Sequence, residues 1–387
     1  MGLIEIWTES PQQLEVKHIQ QIVAFAGCGK LQDGNDASQE LREFLAQVPS
    51  RFLRRYASEC LTTKYEGSGL VLQDVINQVG KRLGFSVSDG RYRGIAGHIG
   101  FDGLWRTPDG HTIIVEVKTT DAYRIDLNVI AGYRWAFIKK GEFVEDRSSV
   151  LIVVGREDTG DLEAQIRGSR HAWDMRLISV DALIHLMDLT QEVEDPRIAR
   201  KIRDILIPRE FTKVDEIIDI VFSTAENVQT EKAAELELEG RDRKPKFVPV
   251  SFHDACIARI QTHLKRPLIK RTRANYSSPD GVLAVICAVS REHDNSGASS
   301  YWFAFHPHQK ETLDGVPEGY LALGCGSEKT VLLISFRDFS PWLDGMNTTK
   351  TDDRFYWHIS IFKDDNQLVL HRKKGHTRVD LTKYLLR

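Results

Sequence analysis

Apolar residues recur at helical spacing near the start of the chain. Ile19, Ile22, Val23 and Phe25 make one patch, and Leu41, Phe44, Leu45 and Val48 another, before Pro49 interrupts. The spacing predicts a helical segment over residues 1–60. A longer amphipathic helix is predicted from Leu70 to Gly84, carried by Val71, Val75, Val79 and Leu83, with Gly84 as its stop. The period then changes from 3.6 to two. Phe85 to Ser88, Phe101 to Thr107 and His111 to Thr120 read as strands, the last rich in β-branched residues. Leu127 to Ile138 reads as a helix and Val150 to Val154 as an apolar strand. A helix near Asp161 to Gly168, a strand from Arg176 to Val180 and a helix near Asp181 to Leu189 follow.

Ile198 to Ile207 and Val214 to Phe222 look like further helices, and Thr224 to Lys246 is a densely charged connector ending in Arg-Asp-Arg-Lys-Pro-Lys. Beyond it, Val282 to Val289, Tyr301 to Phe305, Tyr320 to Leu323, Val331 to Phe336 and Tyr356 to Phe362 read as strands separated by turn signals such as Asp280-Gly281. The expected division is a helical N-terminal segment (1–60), an α/β domain (61–190), a helical connector (191–245) and a β-rich C-terminal domain (246–387).

The second and third strands carry the chemistry. Pro108-Asp109-Gly110 between them suits a three-residue hairpin loop, which pairs Thr107 with His111. Counting outward, Asp102 faces Glu116, and alternation puts Lys118 on the same side while Val115 and Val117 point to a core. A two-residue loop would oppose Asp102 to Val115 and split the pair, so the site depends on register. Two adjacent carboxylates suit a hard cation such as Mg²⁺, which takes one or two carboxylates plus waters and phosphate oxygens. A compact lysine cation beside them can orient a water or stabilise developing charge.

Helix, three strands, helix, strand, with Asp102 and Glu116-Val117-Lys118 on the second and third strands, resembles the PD-(D/E)xK nuclease superfamily, in its Mrr-like and restriction-endonuclease-like branches, over roughly Glu66 to Gly155. The resemblance implies an α/β, restriction-endonuclease-like mixed sheet flanked by helices. It also implies Mg²⁺-dependent hydrolysis of DNA, with Mn²⁺ able to substitute. Asp102 and Glu116 become metal ligands and Lys118 the catalytic lysine. Phe101 stands where the family name has Pro. The metal-supporting Glu found on the first helix of many members falls at Gln73 or Asp74, with Glu66 just before the helix. Tyr133 stands where some members place a supporting Gln or Tyr. The combination with a second domain implies a prokaryotic restriction or defence endonuclease. Alternatives are a repair or junction-resolving nuclease and a non-catalytic DNA-binding or scaffold protein on the same fold. Double-strand cutting would need two sites, hence a homodimer.

Composition narrows this further. The 387 residues are 41% hydrophobic and 28% charged, with net charge −3, ordinary for a globular protein of two or three domains. The charge is uneven: Lys246 to Arg387 carries 20 Lys and Arg against 15 Asp and Glu, which makes this part the better candidate for DNA contact. Its basic clusters are Lys265, Arg266, Lys270, Arg271 and Arg273, and Arg372, Lys373, Lys374 and Arg378. Tyr301, Trp302, Phe303, Phe305, Tyr356, Trp357 and Phe362 either fill a β core or stack a base. Five cysteines without C-x-x-C spacing argue against a disulfide scaffold and fit a reducing cytoplasm. No apolar run is long enough to span a membrane. Gly27-Cys28-Gly29-Lys30 lacks the upstream glycine and the following Ser or Thr of a phosphate loop.

Overall fold

The computed structural model describes residues 2–63, 65–94, 99–119, 125–155, 160–208, 249–295, 298–350, 355–364, 367–373 and 375–386. The connector over 224–246 and the helix expected over 214–222 lie outside these residues. The chain divides into two compact units, Met1–Val193 with Arg197–Asn227, and Glu194–Pro196 with Val228–Arg387. Both are mixed α/β.

The first unit opens with helices α1 (Leu3–Glu9), α2 (Gln12–Glu15), α3 (Ile19–Phe25), α4 (Asp36–Gln47), α5 (Ser50–Thr62) and α6 (Ser68–Arg82). Strands β1 (Ser86–Asp89), β2 (Gly103–Arg106) and β3 (Thr112–Lys118) follow, then α7 (Leu127–Lys139), β4 (Ser148–Val154), α8 (Gly160–Arg167), β5 (Met175–Ser179) and α9 (Val180–Glu192). Among the described residues the five strands form one sheet in chain order. The β1–β2 and β2–β3 pairs are antiparallel, the second joined by a tight turn, whereas β3–β4 and β4–β5 are parallel, each spanned by a helix. The helix predicted over 198–207 is shorter: it covers Pro196–Arg203 and gives way to a 3₁₀ turn at Asp204–Leu206.

The hairpin register follows the turn chemistry. The Thr107 amide donates to the His111 carbonyl (2.9 Å), and Gly110 takes the left-handed conformation (φ +89°) the loop requires. Arg106 then pairs with Thr112 and Gly103 with Val115. The strand expected over 101–107 is shorter than its pattern suggests, because Asp102 stands one residue before β2. The Asp102 amide donates to the Val115 carbonyl (3.1 Å), and the Asp102 carbonyl accepts from the Gly90 amide (3.0 Å).

Each face of this sheet is covered by helix. On one, Val71, Val75 and Val79 of α6 pack with Trp105, Val115, Leu151 and Val153, in a core that α3, α4 and α5 extend with Ile22, Leu41, Phe44 and Leu53. On the other, Leu127, Ile130 and Phe137 of α7 meet Ile114, Val150, Ile152 and Val154. Trp105 is fully buried and lies flat against α6 only because residue 80 is glycine: a Cβ there would stand 2.5 Å from the indole.

The second unit contains a long helix, Pro249–Leu264, and two sheets. One orders strands Val331–Ser335, Glu318–Cys325, Leu283–Ser290, Asn275–Ser277 and Ile269–Lys270; the other centres on Ala298–Phe305 paired with Phe355–Asp364. The helices at Pro249–Leu264 and Pro307–Asp314 stand beside the strands expected in this part of the chain. Tyr301, Phe303 and Phe305 are buried core, while Trp302, on the opposite face, donates through Nε1 to His358 Nδ1 (3.1 Å). All five cysteines are free thiols. Among the described residues no helix is long and apolar enough to cross a membrane.

The Gly80–Trp105 contact predicts opposite signs for two similar substitutions. Gly80→Ala forces overpacking worth about 1–3 kcal/mol, more than the ~1 kcal/mol that replacing a mid-helix glycine returns. Gly132→Ala, on α7 with open space around it, stabilises by roughly 1 kcal/mol. Chemical denaturation midpoints should therefore fall for the first variant and rise for the second.

Candidate active site

Three side chains predicted from sequence meet at the carboxyl end of β3, where open α/β sheets place their ligands. Asp102 and Glu116 line one cavity of about 470 Å³. The Asp102 carboxylate accepts from the Val117 amide (2.7 Å), and Lys118 Nζ donates to Glu116 Oε1 (2.5 Å). Lys118 thus shares the site through Glu116.

The position of Asp102 is set from its backbone. Gln73 Nε2 (3.1 Å) and Asn77 Nδ2 (2.8 Å) of α6 donate to the Asp102 carbonyl, alongside the Gly90 amide. Asn77 Oδ1 in turn accepts from Trp105 Nε1 (2.9 Å). Gln73 and Asn77, one helical turn apart, are both buried. Gly103 lets this happen: a Cβ there would come within 2.1 Å of Asn77 Oδ1.

The other candidates have other partners. Asp74 is buried, accepts from Arg42 Nε (2.9 Å) and receives the Tyr92 hydroxyl. Its carboxylate is therefore engaged away from Asp102. Glu66 lies exposed in the turn before α6. Tyr133 lines the cavity opposite the carboxylates' strand, on α7, with Phe101 and Phe137 beside it. Among the described residues no group of three or more His, Cys, Asp or Glu is arranged to hold a metal. The donor set is a carboxylate pair.

In the second unit the basic segment over 263–276 does not present one free cationic face. Arg266 is paired with Glu318 (3.0 Å), and Arg271 Nε donates to Ser277 Oγ (2.7 Å). Lys270 and Arg273 also have partners, while Lys265 is exposed just past the helix end. Arg372 donates to the Thr377 carbonyl, Lys373 is exposed, and Lys374 lies outside the described residues.

Sequence reasoning missed four groups in the first unit: Asn77, Arg42, and the cavity-lining Arg91 and Arg93. A signal existed for two kinds of these. Gln73 and Asn77 are polar positions at helical spacing within an apolar helix, and Arg91-Tyr92-Arg93 interleaves cations with an aromatic between Gly90 and Gly94.

The electrostatics are those of confined like charges. Burial, then the negative charge of Glu116, pushes the Asp102 carboxyl up from 3.8 to about 6, against the Val117 amide and the Lys118 ammonium. Burial pulls Lys118 the other way, but its hydrogen bond to Glu116 and the charges of Glu116 and Asp102 outweigh it, and its pKa is raised. Lys118 therefore stays a cation at neutral pH. Burial likewise pushes Asp74 up to about 6 despite Arg42 and Tyr92.

No protein-family model matches the chain, and a search of curated proteins finds no match.

The like-charge term is testable. In carboxyl-carbon NMR, Asp102 should titrate with a midpoint about 6, and Glu116→Gln should move that midpoint down. An unchanged midpoint would show that Glu116 does not act on Asp102. The raised folded-state value also sets a stability window. The Asp102 contribution is fully present below its unfolded value near 3.8 and is lost as pH rises to about 6.

Proposed function

We propose that the first unit is a PD-(D/E)xK-type nuclease on a restriction-endonuclease-like core, hydrolysing phosphodiester bonds in DNA. The observation that carries this reading is the pair Asp102 and Glu116 lining one cavity at the end of β3, with Lys118 hydrogen-bonded to Glu116. A mixed sheet that is antiparallel up to β3 and parallel after it, with helices on both faces, supports it further.

The carboxylate pair fits Mg²⁺ or Mn²⁺, because such ions need only one or two carboxylates and fill their remaining positions with water and phosphate oxygen. Burial, and after it repulsion from Glu116, raises the Asp102 pKa, and a bound divalent cation would relieve that repulsion. Asp102 and Glu116 would hold the ion. It would acidify a bound water and offset charge on the phosphate. The remaining work belongs to the chain. Gln73, Asn77 and Gly90 hold Asp102 by its backbone, so the carboxylate is aimed before substrate arrives. Lys118, protonated, supplies positive charge beside the reacting phosphate and is not a proton acceptor. Tyr133, on α7, lines the cavity with Phe137. The family, restriction or repair use, and pairing of two chains for double-strand cutting are all part of this reading.

Lys118→Ala should lower Mg²⁺-dependent cleavage of plasmid DNA by at least about 10²-fold, with thermal melting and DNA affinity little changed. Equal cutting by both proteins would remove the mechanism. Because only ionised Asp102 serves as a ligand, cleavage should rise with pH through about 6. Mg²⁺ should accordingly raise the melting temperature more at pH 8 than at pH 5.

A second reading, a non-catalytic DNA-binding scaffold, has its own support. No acid of α6 reaches the pair, since Gln73 holds a carbonyl and Asp74 is held by Arg42 and Tyr92. Calorimetric titration with Mg²⁺ or Mn²⁺ separates the two: a scaffold shows no binding that disappears in Asp102→Asn and Glu116→Gln.

A further inference from the structure

We infer that Arg91 and Arg93 form a prebuilt phosphate clamp at the mouth of the Asp102–Glu116 cavity, gripping the backbone phosphates of a nucleic-acid strand beside the bond to be cut. The inference rests on the nuclease reading in naming the phosphate as that of a nucleic acid and in placing it beside a bond to be cut.

Both arginines line the cavity, and both side chains are exposed. Among the described residues neither guanidinium makes a hydrogen bond or ion pair. They are not there to neutralise the carboxylates: the charges acting on Asp102 are those of Glu116 and Lys118. Two uncommitted guanidiniums facing a cavity whose floor is acidic suit a ligand that is anionic at its edge and carries a cation at its centre. A phosphodiester with a divalent ion is such a ligand, and the planar guanidinium can take two of its oxygens at once.

The residue between them is anchored on both sides. The Tyr92 amide donates to Asp33 Oδ1 (2.7 Å) and the Arg93 amide to Asp33 Oδ2 (3.3 Å). The half-buried Tyr92 ring points inward, its hydroxyl donating to buried Asp74. Arg42 stacks on that ring at 5.0 Å, binds Asp74 through Nε and reaches the Gly90 carbonyl through a terminal nitrogen (3.4 Å). Asp74, Arg42 and Asp33 are therefore positioning residues. They fix the backbone from which the two arginines project, so less freedom is lost when phosphate binds.

The test is fluorescence anisotropy with a fluorescein-labelled DNA duplex, full-length protein and no divalent metal, across a salt series. Each phosphate contact adds about 0.9 to the slope of log affinity against log salt. Arg91→Ala/Arg93→Ala should flatten that slope by about two contacts and weaken binding by roughly 10–100-fold, with an unchanged circular-dichroism melt. Tyr92→Phe keeps both charges but frees them, so it should weaken binding several-fold and leave the slope alone, a separation that simple loss of charge would not give. If the wild type cuts DNA in Mg²⁺ and the double variant binds with the wild-type slope, the clamp is wrong and the nuclease stands. If the slope flattens as expected but no metal or DNA form yields cutting, the clamp stands and the nuclease reading falls. A wild type that binds no DNA at low salt overturns both.

Discussion

One carbonyl oxygen organises the first unit. Three donors converge on Asp102 O, from Gln73, Asn77 and the Gly90 amide, more than its two lone pairs need. Buried amides left without partners would each cost about 1–3 kcal/mol, so α6 and the hairpin are constrained to a single relative position. That constraint fixes residue 102 just before β2, bonded to Gly90 on one side and Val115 on the other. It also directs the carboxylate toward the Val117 amide and the end of β3. The acid pair is a by-product of how helix and hairpin are bolted together.

The same helix separates two kinds of shielded acid, the buried Asp74 and the half-buried Asp102. Asp74 has its burial offset by Arg42 and the Tyr92 hydroxyl, which makes it a structural anion. Asp102 has a single amide and a neighbour of the same sign. Both carboxyls are pushed to about 6, yet only the second opens to a cavity. Similar proton affinities thus arise from a satisfied network and from an unsatisfied one.

Much of this arrangement was legible along the chain because it is local. Pro108-Asp109-Gly110 determines the loop length, the loop length determines the register, and the register pairs Gly103 with Val115, which leaves Asp102 and Glu116 next along their strands. The valines of α6 and the apolar run of β4 were equally readable, since periodicity alone specifies them. What escaped was non-local. Nothing near Asp74 announces that Arg42, thirty-two residues earlier in the chain, supplies its counter-charge. Nor does the basic run from Lys265 to Arg273 show that Arg266 will be taken by Glu318 and Arg271 by Ser277. The aromatics of Ala298–Phe305 divided by strand alternation, a rule that assigns faces without saying which face is core until the sheets are packed. The helix at Pro249–Leu264 was legible but went unread: Phe252, Cys256, Ile257, Ile260 and Leu264 fall at helical spacing on one face.

The fit of Trp105 over Gly80, with Asn77 tied to the indole and Gly103 yielding room to Asn77, binds four positions into a lock. Such positions cannot drift singly. A distant relative that had enlarged residue 80 would have to shrink residue 105 in compensation, and one that lost Asn77 would need another donor for the carbonyl beneath it. Ancestry in this lineage should then be traceable through a correlated glycine–asparagine–glycine–tryptophan quartet, even where the two acids and the lysine have decayed beyond detection.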